Sequence, residues 1–460
     1  MGQGIHTSLA MMAADELDAN WEYVKIEQAP AIDLFANGHL IKGFAGEFGV
    51  PDALMPLVNA TAFPIAEMIN LQITGGSSSI RYTGESAMRV AGAAAREMLM
   101  EASADRWKVS RVELTTELGY VHHNATGRSV SFGEIAKEAA LLEPPENPSL
   151  KNRSQFNIMG KALSRSDIPS KVNGTAMFGI DAHSRDMLFA AIKLAPVFGT
   201  KLVSADISKA LAQPGVERVI ELEDSIAVVA DNYWRAKTAL ALVDATFSTS
   251  ENDSVSSDSI ESRFNSALAQ SDGSKDKEIG NTESAISTAT DIIEASYRVP
   301  YLAHAAMEPM NCTVHVKGKT VEVWTSTQDA LGTVGRIANI AGVPENSVIF
   351  HHTYCGGGFG RRVPLINTNM IDHATLIAKE FDVPVKTIFS REDDMQQDHY
   401  RPSVHNNFKA SFDSNGNVTA WKSRFTGPIL VPGASHIPYA IKNQSIRVVE
   451  ADTHVPLGPW

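Results

Sequence analysis

Ser347-Val348-Ile349-Phe350-His351-His352-Thr353 is followed by Cys355-Gly356-Gly357-Gly358-Phe359-Gly360-Arg361-Arg362, and then by a run from Asn369 to Phe381. The first stretch is rich in β-branched and aromatic residues and reads as a strand. The last has apolar residues at helical spacing. Between them, four glycines in five positions let a backbone run close to something bulky, with N–H groups free to donate. Two arginines next door suit an anion. The glycine pattern fails the dinucleotide fingerprint at its last position, and no Gly-Lys-Ser/Thr follows to make a P-loop. Taken alone, the loop could also be a flexible surface turn, the less favoured reading.

Working outward, strands and helices alternate from 292 onward. Thr320 to Thr325 reads as a strand and Asp329 to Ala341 as a helix, with a further strand at Val385 to Phe389. Asn415-Gly416 closes a hairpin between Asn407–Phe412 and Val418–Arg424. Upstream, 165–247 reads as a strand-rich α+β module. Its strands are Met187 to Leu194 and Ser225 to Ala230, and its helix runs from Trp234 to Leu242. Residues 248–291 are rich in Ser, Asp and Asn and read as a polar surface excursion with one helix. Pro144-Pro145-Glu146-Asn147-Pro148 is a stiff linker. Before it, helices are expected over 5–18 and 84–104, and another from Ser131, where Glu134 completes a capping box. The stripe of the second is Ala87, Val90, Ala91, Ala94, Met98 and Leu99, small enough for another backbone to approach. Trp21 to Glu27 reads as a strand and 31–70 as irregular. The divisions are therefore 1–150, 165–247, 248–291 and 292–460, in a multi-domain α+β chain.

A chain of 460 residues suits about three domains of roughly 150 residues each. Its apolar content is that of a globular protein, which excludes disordered and collagen-like classes. No apolar run reaches the ~18 residues of a membrane span. Forty basic and 53 acidic side chains give a net charge of −13. That balance speaks against non-specific nucleic-acid binding but leaves room for a local anion pocket. Two cysteines, Cys312 and Cys355, are too few for a structural zinc or an iron–sulfur cluster.

Three further segments could carry chemistry. Gly2-Gln3-Gly4 opens the first helix, whose free N–H groups and dipole attract anions. A plain capping turn is the alternative. Thr74-Gly75-Gly76-Ser77-Ser78-Ser79 leads into the second helix and suits a phosphate, or is a simple Ser/Gly loop. In Thr325-Ser326-Thr327-Gln328 the amide of Gln328 can bond an oxo or hydroxyl group, or the hydroxyls simply cap the helix. His122-His123 and His351-His352 point to opposite faces of strands and cannot chelate one metal. Cys355 is a thiolate candidate or a small residue packed under a loop. Arg391-Glu392-Asp393-Asp394 reads as a salt-bridged, solvated turn. Three anion-type loops in one acidic chain suggest one large anionic cofactor wrapped by all three.

In order along the chain, these segments resemble the molybdopterin-binding subunit of the xanthine dehydrogenase/aldehyde oxidase family, most of all its isoquinoline 1-oxidoreductase β-subunit type. Met1 to Thr7, Thr74 to Ser79, Asp167 to Gly174, His304 to Asn311, Ser326 to Gln328, Gly356 to Arg362 and Arg391 to Asp394 carry the likeness. The order counts too: here the Gly-Gln-Gly segment precedes the glycine loop, as in the isoquinoline-type subunits. The resemblance implies an α/β hammerhead over 165–247 and a molybdenum-bearing molybdopterin, in its cytosine dinucleotide form. Gly2, Gln3, Gly4, Gly75, Gly76, Ser77, Ser78, Ser79, Gly357, Gly358, Phe359, Gly360 and Arg361 would hold it. Gln328 and Phe359 would sit at the reacting centre, and His304, Met307 and Glu308 would wall a substrate channel. The implied reaction is hydroxylation of an N-heteroaromatic, or oxidation of an aldehyde, with oxygen from water. Electrons would pass to [2Fe-2S] clusters on a separate small subunit and on to an acceptor. The different reading is a non-catalytic scaffold that keeps the pocket.

Departures shape these expectations. The family's catalytic glutamate lies in a Gly-Glu-Pro segment beyond residue 460, and Trp460 matches the residue before an active-site arginine. Met1 meets Gly2-Gln3-Gly4 with no lead-in. The resemblance thus implies a bacterial fragment, continued at both ends and inactive by itself, whose compartment the sequence leaves open. Purine hydroxylases carry Lys-Glu after the glycine loop, where this chain has Arg362-Val363, so a purine substrate is not expected.

Overall fold

Small residues let helices touch closely, and the first unit is built on that contact. The computed structural model describes residues 2–47, 50–73, 75–364, 366, 369–428, 437 and 439–460. Two units emerge: Met1–Phe178 with Gln328–Gly335, and Gly179–Thr327 with Arg336–Trp460. In the first, α1 (Ile5–Leu17) packs on α4 (Arg89–Trp107), which continues a π-helical turn over Ser79–Met88. A Cβ at Gly92 would lie 2.4 Å from the Ala13 carbonyl oxygen; the close approach falls at Gly92, beside the buried Ala93, while Ala91 of the expected stripe is exposed and only Leu99 of that stripe is buried. Three short antiparallel strands follow: β1 (Leu114–Glu117), β2 (Tyr120–His123) and β3 (Arg128–Ser131). They cover α4 and α5 (Phe132–Ala139), burying Leu99, Val121, Val130 and Ile135 together. Ser131 and Glu134 form the expected capping box.

Two expectations in this unit give way. Trp21–Tyr23 is a single 3₁₀ turn rather than a strand, capped by the Asn20 side chain. The stretch expected to be irregular holds α2 (Gly38–Glu47) and α3 (Met55–Met68). Pro56 falls in the first turn of α3, where its missing N–H costs nothing, and Pro64 is tolerated inside. Packing of Leu40, Ala66, Leu71 and Leu331 supplies what the local sequence lacks. A short helix, α6 (Ile168–Val172), completes the unit.

The second unit has two large sheets. The strands before residue 280 are β4 (Leu188–Leu194), β5 (Leu202–Asp206), β6 (Val216–Glu221), β7 (Ser225–Ala230), β8 (Asp244–Phe247) and β9 (Ser274–Ile279). Those after it are β10 (Asp291–Val299), β11 (Asn311–Lys317), β12 (Thr320–Thr325), β13 (Val348–His352), β14 (Val385–Ile388), β15 (Val404–Phe412), β16 (Val418–Thr426) and β17 (Asn443–Val449). A mixed seven-stranded sheet runs β13-β12-β11-β14-β4-β7-β6, so 188–230 and 311–388 share one core. β7 is buried at every position, which is why Ser225 to Ala230 reads as an unbroken apolar run. Between strands lie α7 (Ser208–Leu211), α8 (Tyr233–Leu240), α9 (Ser257–Gln270) and α10 (Thr282–Ser287). After them come α11 (Ala330–Ala341), α12 (Asn369–Ala378) and α13 (Arg391–Gln396). The second sheet runs β10-β15-β16-β17-β9. The stretch expected to be a polar excursion with one helix supplies α9, α10 and the edge strand β9 to it. Phe264 and Leu268 of α9 are buried there. Polar residues dominate that stretch because only one stripe of α9 faces inward.

Candidate functional site

The expected site segments fall into both units. In the first, Gly2 and Gly4 take left-handed φ values of 79° and 77°, and Gly4 caps α1 without any side-chain bond. The first-turn N–H groups therefore have no partner inside the helix. Gly76 lies beside Gln3: a Cβ there would stand 3.5 Å from the Gln3 Oε1. The Gly75 N–H donates to Ser79 Oγ at 3.0 Å, folding the Ser/Gly loop onto itself. Gly2, Gln3, Gly75 and Ser77 are exposed, Ser78 is half-buried and Ser79 is buried. Thr74 and Met1 lie outside the described residues. Residue-by-residue reading missed Arg165. Its guanidinium donates to the Gly2 carbonyl at 2.7 Å and to Asp167 at 3.0 and 2.6 Å. Lys171 pairs with the same carboxylate. These cations hold Asp167 far below the usual carboxylate range, the Arg165 bonds first, with burial opposing. The signal was present: 167–174 is a stretch on which the family likeness rests. Gln328 is buried at the start of α11, and its neighbour Asp329 accepts the N–H groups of Gln72 (2.9 Å) and Gly332 (3.1 Å).

The glycine loop lies in the second unit. Phe359 has a φ of 59°, unusual for a bulky residue, and leaves its ring 58% exposed at the tip. Gly360 has a φ of 112°, and a Cβ there would meet the Pro459 carbonyl oxygen at 1.7 Å. Only glycine fits. Both arginines turn inward, against the expectation that they face an anion. Arg361 is buried with its Nε 2.9 Å from Asp398 Oδ1 and 3.7 Å from Asp394. Burial pushes its guanidinium pKa down, opposed by Asp398 and Asp394. Arg362 donates to the Gly357 carbonyl (2.8 Å) and the Glu308 carbonyl (2.7 Å). Side chains this deep are paired because an unpaired buried charge is costly.

The three expected channel residues part company. Met307 is 89% exposed. His304 is buried, with Nδ1 on the Asp398 carboxylate (2.9 Å), Nε2 on the Pro459 carbonyl (2.9 Å) and its ring stacked on Trp460. Glu308 is buried and its carboxylate meets five donors: Ile180 N, Asn311 Nδ2, Gly356 N, Ser326 Oγ and Arg362 Nη2. Burial would raise its pKa, but Arg362 and these bonds hold it below the ordinary value. A wall of a channel would keep a free oxygen; Glu308 has none to spare. Arg391 to Asp394 is likewise no solvated turn. Ser390 and Asp393 form a capping box on α13, and Asp394 is buried beside Arg361. Asp398 went unnoticed because no motif surrounds it. Burial pushes both thiols up, Cys312 to about 12, and Cys355 Sγ donates to the Thr327 carbonyl at 3.4 Å. Cys355 is thus a packed thiol. Among the described residues no group of three or more His, Cys, Asp or Glu side chains is placed to hold a metal.

Residues 266–453 match the molybdopterin cofactor-binding domain. The isoquinoline 1-oxidoreductase subunit beta of Brevundimonas diminuta is 28% identical over 448 residues, covering 88% of this chain and 53% of that protein. Over most of its length the chain is thus similar to molybdopterin-binding subunits of the xanthine dehydrogenase/aldehyde oxidase type. A membrane-bound aldehyde dehydrogenase (pyrroloquinoline-quinone) of Gluconacetobacter polyoxogenes is also 28% identical, over 91% of this chain and 51% of that protein. The chain thus spans about half the length of the curated relatives it matches. Among solved structures, quinoline 2-oxidoreductase from Pseudomonas putida 86 aligns with a TM-score of 0.52 at 16% identity. It covers 65% of this chain and 45% of that one, and shows the shared multi-domain α+β fold. Among the described residues no helix is long and apolar enough to cross a membrane.

The molybdopterin named by the matched domain can be tested against the residues present. Gly2, Gly4 and Gly76 leave backbone open where side chains would intrude, and Gln3 adds an amide beside them. The Gly357 and Gly360 positions admit no Cβ without collision or strain. Each set, taken within its own unit, fits contact with a flat, polyanionic group held mainly by backbone N–H and short polar side chains.

Proposed function

We propose that this chain is the cofactor-holding part of a molybdenum hydroxylase acting on an N-heteroaromatic or an aldehyde, with oxygen drawn from water. The observation that carries the reading is the glycine loop. Its tip is stripped of side chains except for one exposed ring, Phe359, held at a left-handed φ of 59°. Gly2, Gln3, Gly4 and Gly75 to Ser79 would hold the pterin and its phosphates, in the cytosine dinucleotide form. Gly357, Gly358 and Gly360 would pass beside the metal. Bound there, the cofactor would supply the two-electron oxidation. The chain's own part is to bind and orient. The Gln328 amide would donate to an oxygen at the centre, and the Phe359 ring would receive a flat substrate face. Arg361 would contribute by holding the loop from within, since Asp398 engages its guanidinium. Electrons would leave to a separate [2Fe-2S] subunit, because Cys312 and Cys355 are both buried and apart from any cluster motif.

The test is expression of the full natural polypeptide with its iron–sulfur subunit. Molybdenum near one atom per chain, cytidine monophosphate on acid hydrolysis, and turnover of isoquinoline or benzaldehyde in ¹⁸O-water with label in the product are expected. Xanthine should be a poor substrate. Gln328→Ala should lower kcat by about 10²-fold, in the range of losing one preorganised donor, with molybdenum retained. A protein that binds the cofactor and turns over none of these substrates would be a scaffold instead.

A further inference from the structure

We propose that Glu308 is the positioning residue of the glycine loop: with Arg362 it forms a buried clamp that fixes the backbone of 356–362. The loop is tied at its entrance by Gly356 N–H to Glu308 Oε2 at 2.7 Å and by Glu308 N–H to the Gly356 carbonyl at 3.0 Å. It is tied at its exit by Arg362, whose Nε reaches back to the Gly357 carbonyl and whose Nη2 reaches the Glu308 carbonyl. One planar guanidinium thus spans the loop from end to start, which a lysine ammonium cannot do. The carboxylate is pinned in turn by groups from separate elements. Ile180 N and Asn311 Nδ2 bond Oε1 at 2.9 and 3.0 Å, and Ser326 Oγ at the end of β12 bonds Oε2 at 3.1 Å. The surroundings are cut to admit it. A Cβ on Gly356 would lie 2.4 Å from Glu308 Cβ, and one on Gly179 would lie 3.0 Å from Oε1 and 2.7 Å from Asn311 Oδ1. Two glycines are therefore required by the close packing around the Glu308 side chain and its partners Asn311 and Ser326 rather than by a turn: neither has a left-handed φ. Five donors on two oxygens leave no site for a substrate proton, so Glu308 acts through the loop and not as an acid or base. Its bearing on turnover rests on the cofactor reading above; the clamp itself does not.

The experiment uses the full-length protein with its partner subunit, carrying Glu308→Gln or, should that variant not fold, Arg362→Lys. Hydrogen–deuterium exchange at 354–363 should quicken by about tenfold or more, with the rest of the chain unchanged, as expected for a local opening. Per bound molybdenum, kcat should fall about ten- to a hundredfold with KM within about twofold, since small misplacements cost that much. The resonance line shape of the reduced molybdenum should shift. Unchanged exchange at 354–363 would overturn the clamp. So would activity lost only in proportion to molybdenum, with kcat and line shape per molybdenum unaltered, because that is a stability effect. Faster exchange in the variant of a protein whose wild type never holds molybdenum would leave the clamp standing and sink the cofactor reading.

Discussion

Asp329 and Gly360 show what single residues contribute. Burial pushes Asp329 up to about 6, against the two N–H bonds it accepts from Gln72 and Gly332. The folded state therefore holds this proton more tightly than the unfolded chain, whose aspartate titrates near 3.9. The associated stability is fully present below about pH 4 and is lost as pH rises through about 6. Asp329→Asn imitates the protonated form. It should match wild type at pH 4 and exceed it at pH 7 by on the order of 3 kcal/mol. Denaturant melts at both pH values check this; an equal difference at both would contradict it. Gly360→Ala combines left-handed strain with a collision at Pro459. Gly2→Ala, with nothing within 4 Å, meets strain alone. The first should cost several kcal/mol or displace the loop, the second about 1 kcal/mol. Thermal shifts of the two variants would rank them.

At the level of elements, packing decides where propensity is weak. α9 carries mostly Ser, Asn, Asp and Glu, yet Phe264 is fully buried and meets the His405 ring edge-on at 5.3 Å. Phe264→Ala should cost about 3–5 kcal/mol and free 257–270 for exchange, since that one ring is the helix's main anchor. A loss below about 1 kcal/mol in a denaturant titration would mean that α9 is held by its polar bonds. α1 illustrates the opposite extreme. Glu16 is fully buried on its inner face, paired with Arg89 at 2.7 Å and accepting the Lys151 N–H at 3.0 Å. Glu16→Gln would remove the buried counter-charge of Arg89 and Arg96 and leave Arg89 only the more exposed Glu85 at 2.7 Å, so a loss of about 3 kcal/mol is expected. The linker after Pro148 is thereby fastened to α1 by charge.

Across the whole molecule, titrations of opposite sign add up. Asp167 and Glu308 are both held below their ordinary values by paired cations and donors. Their stabilisation is present above about pH 4 and lost as pH falls below it. Asp329 works the other way, between about pH 4 and 6. Melting temperature should therefore drop steeply from pH 4 toward pH 3, and salt should restore little of the Glu308 share, because that pair is buried and the Asp167 pairs only partly so. A flat profile over that range would contradict the buried pairings. The sequence by itself determined the elements whose signals are local. Thr320–Thr325, the capping box at Ser131 and the hairpin at Asn415-Gly416 follow from periodicity and turn chemistry, which need no distant partner. The glycine loop and the Gly-Gln-Gly segment were legible for the same reason: an unusual backbone demand shows in composition. Only the tertiary structure decided which way charges face. Arg361 and Arg362 look like anion binders in sequence, but Asp398 and Glu308, 37 and 54 positions away, turn them inward. The helices over 38–68 and the strand β9 were invisible for a related reason. Their stability comes from burial against residues far along the chain, and burial leaves no mark in a local window.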